Sequence, residues 1–300
     1  MNCSNQKTIA HEVSCLGIGL HSGNMVNLTI KPADVDTGII FRKISHDGQH
    51  IIDIEANYNS VSNTLLNTTL TKGSEHISTV EHMMAALWGC EIDNIIIELS
   101  NGDELPIMDG SSEQFVFMIE CAGIKKQNKG KRIIEVLKTV DVREGSAFAS
   151  ISPSEGFSVS MEIDFENQVI SNQKCSFDSI NSSFKMDLCR ARTFGFEDEV
   201  KKMQEMGLGK GGSLENAIVV GEDKILNKEG LRYKDEFVRH KILDSIGDLY
   251  LAGAQMKGHF RGFKSGHKLN NKLLKEFFSD LSAWRIIELP FEIEQAIPQI

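Results

Sequence analysis

A chain of 300 residues with 41% apolar and 25% charged side chains is long enough to bury one large core or two smaller ones. Its net charge of −10, from 32 Lys+Arg against 42 Asp+Glu, argues against general nucleic-acid binding, which needs a basic surface. Cysteines at 3, 15, 90, 121, 175 and 189 form no CxxC pair, so a reducing cytoplasmic setting is expected rather than a disulfide framework. The polar Met1–Ala10 segment does not read as a signal peptide, and no apolar run reaches the length of a membrane span.

Taken in chain order, Val26, Leu28 and Ile30 alternate with polar neighbours before Pro32, the pattern of a half-buried strand. Gly38 to Ile44 predicts a second strand and Asn94 to Leu99 a buried one. Between them, Thr79 to Leu87 predicts a helix with Thr79 as its N-cap. Another helix is expected over Ser112 to Ala122. Ile124 to Arg132, with four lysines, an arginine and no acid, reads as a linker. Beyond it, Phe157, Val159, Met161, Ile163 and Phe165 alternate strictly with polar residues, the clearest strand signal in the chain. A helix follows Thr193 up to about Met206, then a glycine-rich turn from Gly207 to Gly212. Further helices are predicted over Asp235 to Leu251 and Asn271 to Trp284. Strands then helix in each half suggests two stacked sheet-plus-helix layers, an α+β fold.

The chemistry starts in the helix over Asp235 to Leu251. His240, Asp244 and Asp248 stand at i, i+4 and i+8, within about 80° of arc on one face. Val238, Ile242, Ile246 and Leu249 lie opposite. Alone, this helix reads more readily as a solvated charged face. Glu81-His82, among Val80, Met83, Met84 and Ala85, should be partly buried, and burial of such groups requires partners. Alone it reads as a satisfied core histidine. Together the two helices offer two imidazoles and a carboxylate, with a fourth tetrahedral position left for water. Glu81 would then be placed to take a proton from that water. His267, in a loop between Gly262 and Asn271, could protonate a departing amine, with Asp248 orienting it.

Several longer motifs carry a resemblance. Ser78-Thr79-Val80-Glu81-His82, Leu105 to Ser111, Ala191 to Phe196, Val238 to Asp248, Ser265 to Asn271 and Gly17 to Gly23 resemble the UDP-3-O-acyl-N-acetylglucosamine deacetylase family of lipid A synthesis, in register from about residue 8 to 285. The resemblance implies two domains, 1–126 and 131–300, each a sheet with two helices, packed helix layer to helix layer. It also implies a small-sheet insert near 40–60 and a βαβ insert near 194–222 that forms an apolar passage for an acyl chain. Zn2+ is implied on His82, His240 and Asp244, a donor set that also accepts Fe2+. Glu81 is implied as general base, His267 as general acid with Asp248 behind it, and Thr193 as an oxyanion donor. Leu20, Phe194 and Lys241 are implied to meet the UDP-3-O-acyl-N-acetylglucosamine substrate. No transmembrane segment is expected, so membrane contact would be peripheral. A peptidase is disfavoured by the lack of HExxH. A metal-bearing binding module is disfavoured because it would leave Glu81 and His267 idle.

Overall fold

The computed structural model describes residues 4–45 and 49–292; Cys3 and the outer ends of the two expected domains lie outside the described residues. Alternation builds the first sheet. Val26, Leu28 and Ile30 point inward from Met25–Pro32, which pairs with Val13–Ile18 on one side and Ile95–Ser100 on the other. The order continues through Ile39–Ile44, parallel to Ile95–Ser100, to Ile51–Glu55. Helices α1 (Glu81–Gly89) and α2 (Glu113–Cys121) accompany this sheet. Every residue of α1 from Glu81 to Trp88 is buried, so this short helix is core on all sides.

The second sheet has seven strands centred on Gln255–Phe263. Phe157–Asp164, the strand with the clearest alternation, runs parallel to it, with Val159, Met161 and Ile163 facing in. Among the described residues, four further helices follow α2: the single-turn α3 (Phe184–Asp187), α4 (Glu197–Glu205), α5 (Glu236–Tyr250) and α6 (His267–Ser279). Helix α5 packs on both α1 and α6, joining the two helix layers. The molecule is thus an α+β fold of two sheet-plus-helix layers packed through their helices.

Phe194–Phe196 and Ile218–Val220 form a parallel pair bridged by α4, a βαβ unit within the expected span. The other insert differs from expectation. Ile39–Ile44 and Ile51–Glu55 belong to the main sheet, and the separate small sheet is built by Val61–Asn63, Thr69–Lys72 and Glu75–Ile77. The expected linker also differs. Ile124–Gly130 is a strand paired antiparallel with Asn5–Ile9, its lysines 125 and 126 exposed while Gln127 is buried. A lysine-rich outer face is how an edge strand is kept soluble, and composition alone does not separate it from a linker.

Candidate active site

Glycine lets two helices meet here. Gly247 of α5 lies on α1 so closely that a Cβ would come within 2.1 Å of the Glu81 carbonyl oxygen and 3.2 Å of the Ala85 nitrogen. That approach sets Glu81 and His82 at the start of α1 against Asp244, about one turn before Gly247, and Asp248, the residue after it. All four side chains are buried, as is His240.

His240 Nδ1 lies 3.0 Å from the Ala191 carbonyl, so it carries the ring proton and leaves Nε2 bare, 3.3 Å from Asp244 Oδ1. The Ala191 carbonyl is itself held by its neighbour: the buried Arg192 pairs with the fully buried Glu236 at 2.9 Å. His82 Nε2 approaches the same Asp244 oxygen at 3.5 Å. Ligand atoms of His82, His240 and Asp244 fall within 4.8 Å of one another. Asp244 Oδ1 has no hydrogen-bond partner, although a buried polar atom left unpaired costs about 1–3 kcal/mol. A shared divalent cation satisfies that oxygen and takes one imidazole nitrogen from each histidine, so the donor set fits a metal. Burial pushes the His240 imidazole down to about 3, against the pull of Asp244, and keeps it in the neutral form a ligand requires. Burial opposes ionisation of Asp244, but His240 beside it and the Lys241 ammonium hold its carboxyl well below the usual range. Lys241 Nζ is 2.6 Å from Asp244 Oδ2.

Glu81 and His267 stand beside this set, with His267 Nε2 3.9 Å from Glu81 Oε1 and 4.0 Å from Asp244 Oδ2. Burial raises the Glu81 pKa. Burial pulls the other way on His267, yet Asp248, Glu81 and Asp244 outweigh it and raise the imidazole to about 9. The 2.9 Å contact from His267 Nδ1 to Asp248 Oδ2 fixes the ring.

His267 was expected in a loop, and the last helix over Asn271 to Trp284. Instead His267 is the first residue of α6, which ends at Ser279, and Trp284 opens the final strand. Thr79 does not cap α1: it takes a left-handed backbone at φ 58°, and its hydroxyl donates to Glu104. Sequence reasoning also missed Thr68 and Asn270. The Thr68 amide donates to Glu81 Oε2 at 3.0 Å and its hydroxyl to Asp248 Oδ1 at 2.6 Å. Asn270 Nδ2 donates to Asp248 Oδ2 at 2.8 Å. Asn270 lay inside a motif already singled out, while Thr68 had no local signal.

A cavity of about 210 Å³ opens over these groups, and Leu20, Thr193, Phe194 and Lys241 line it. A second cavity of about 200 Å³ adjoins it, walled by Val200, Met203, Leu214, Ala217 and Val219 of the βαβ insert. Lys264 and Lys268 are turned to Asp164 and Glu144 instead.

A three-donor metal set with an open face, flanked by a buried carboxylate and a charged imidazole, defines a metal-dependent hydrolase. Comparison with known proteins agrees. The family model for UDP-3-O-acyl N-acetylglycosamine deacetylase matches residues 6–279. A UDP-3-O-acyl-N-acetylglucosamine deacetylase of Teredinibacter turnerae is 46% identical over 295 residues, covering 98% of this chain and 96% of the relative. Those of Xanthomonas campestris pv. campestris and Saccharophagus degradans are each 47% identical, covering 97% and 98% of this chain and 96% of either relative. The chain belongs to the UDP-3-O-acyl N-acetylglycosamine deacetylase family.

Proposed function

We propose that this chain hydrolyses the N-acetyl group of UDP-3-O-acyl-N-acetylglucosamine, giving UDP-3-O-acyl-glucosamine and acetate, the committed step of lipid A biosynthesis. Full-length similarity to the named deacetylases supports the substrate. One observation carries the chemistry: Glu81 and His267 face each other at 3.9 Å beside the His-His-Asp set, a base and an acid on either side of one reacting centre.

We assign zinc to His82, His240 and Asp244, where a divalent cation acidifies water and polarises a carbonyl. Glu81 accepts the proton of the attacking water through Oε1; its other oxygen is occupied by the Thr68 amide. The Thr193 hydroxyl is assigned to the developing oxyanion. Its backbone is tied at both ends, the amide to the Gly110 carbonyl at 2.7 Å and the carbonyl to the Ile218 amide at 2.8 Å. His267 donates from Nε2 to the sugar nitrogen as the amide bond breaks, and Asp248 stabilises the imidazolium it starts from. Lys241, Leu20 and Phe194 line the sugar-binding space, and the apolar cavity beneath the insert takes the acyl chain.

The same reading assigns two domains, 1–126 and 131–300, with the substrate between them. It also assigns cytoplasmic action on a nucleotide-linked substrate, with any membrane contact peripheral. None of the described helices is long and apolar enough to cross a membrane. The test is acetate release from UDP-3-O-acyl-N-acetylglucosamine by chelator-treated protein, with zinc or iron(II) added back. Zinc-restored turnover is expected. Restoration by iron(II) alone would overturn the ion, and silence from folded, metal-loaded protein would overturn the reaction.

A further inference from the structure

Among the described residues, buried side-chain nitrogen or oxygen atoms without a hydrogen-bond partner fall on His21, His82, Asp244 and Trp284. His82 and Asp244 belong to the metal set. His21 does not, and both of its ring nitrogens lack a partner although the residue is only 9% exposed.

The backbone of His21 is fixed while its ring is left free. Its amide donates to Glu104 Oε1 at 2.9 Å, and its carbonyl accepts from the Lys210 amide at 3.3 Å. The buried Glu104 is fastened in turn by the Ser22 amide and the Thr79 hydroxyl. The fold therefore spends effort placing an imidazole that it does not itself use. That imidazole lines both the metal-side cavity and the apolar cavity. Only His21 and Thr193 among the lining residues common to the two carry a polar side chain, and Thr193 faces the oxyanion in the proposed reaction. Burial holds His21 toward its neutral form, against Glu104, so one ring nitrogen is a donor.

Resting on the proposed function, the substrate's own chemistry identifies the partner. The scissile amide and the acyl ester sit on adjacent carbons of the sugar ring. With the amide at the metal side and the chain in the apolar cavity, the ester falls at their shared wall. We infer that His21 is a positioning residue that donates a hydrogen bond to the carbonyl of the 3-O-acyl ester, so that the site reads the linkage as well as the chain.

The experiment compares acetate release by zinc-loaded enzyme from the 3-O-acyl ester and from a 3-O-alkyl ether of equal chain length, which lacks the carbonyl. Wild type should favour the ester in kcat/KM by about 10-fold. His21→Phe should lose about 10-fold or more on the ester, change little on the ether, and so erase the preference. His21→Gln, which retains an N–H donor, should recover part of it. Parallel losses on both substrates, or no loss on either, would overturn the inference. Should His21→Phe fail to fold, the wild-type comparison and His21→Gln decide: no ester preference in wild type is equally fatal. Absence of turnover on either substrate by wild type would instead strike the proposed reaction itself.

Discussion

Gly247 of α5 rests directly on the carbonyl of Glu81, at a separation that leaves no room for even one methyl group. The contact is backbone to side-chain position, so no rotamer can relieve it. Gly247→Ala should therefore push α5 away from α1, the pair of helices that bring Asp244 to His82. Overpacking of this kind costs about 1–3 kcal/mol, and an ångström of misplacement in a reacting constellation costs about 10²-fold in rate. Urea unfolding together with metal titration checks it; a variant with wild-type stability and affinity would show that the helices tolerate separation.

Glu81 illustrates a cost of function. Burial raises its pKa, so the ionised form weighs against folding and the protonated form does not. Gln in its place mimics the protonated form and can still accept the Thr68 amide. Glu81→Gln is therefore expected to lower turnover by about 10²–10⁴-fold while making the metal-free protein more stable by about 0.5–2 kcal/mol. Calorimetry of chelated protein beside an acetate-release assay tests both halves. A variant that is inactive and less stable would place Glu81 in a structural role.

These relationships divide into what local sequence encodes and what it does not. Helical spacing made the His240, Asp244 and Asp248 face legible, because i, i+4 and i+8 need no partner to be recognised. Apolar flanks likewise located α1 around Glu81-His82. Thr79 misled because a hydroxyl before a helix usually caps it, whereas here a left-handed backbone turns it to Glu104. Thr68 was invisible because its hydroxyl partner, Asp248, lies 180 residues away. The first insert was misplaced for a related reason. Strand order is set by Ile95–Ser100 entering between Met25–Pro32 and Ile39–Ile44, and nothing in residues 39–55 announces it.

The apolar cavity beneath the insert makes a selectivity prediction. Ala217 lines that cavity but not the metal-side one. Ala217→Phe should shorten the space available to a chain without touching Glu81, His267 or the metal donors. Turnover of a long-chain substrate should fall by about 10-fold or more, while that of a short-chain analogue stays within about 3-fold, since each lost methylene burial is worth about 0.8 kcal/mol. Equal losses on both chains would mean that the acyl group lies elsewhere.

Asp248 makes a prediction about pH. Burial alone would lower the His267 pKa; Asp248, first among the surrounding carboxylates, reverses this and brings it to about 9. The folded state thus binds a proton that the unfolded chain releases near its ordinary value of about 6.5. The resulting stabilisation is complete below about pH 6.5 and is lost as pH rises through about 9. Asp248→Asn keeps the shape of the side chain but removes the charge. In chelated protein it should flatten that decline, seen as a smaller fall in urea midpoint across the interval than in wild type. In the metal-loaded enzyme the alkaline limb of kcat/KM should move toward lower pH, because the acid that protonates the leaving nitrogen is then lost earlier. An alkaline limb that stays in place in a fully metallated variant would assign that limb to another group and leave Asp248 only a packing role.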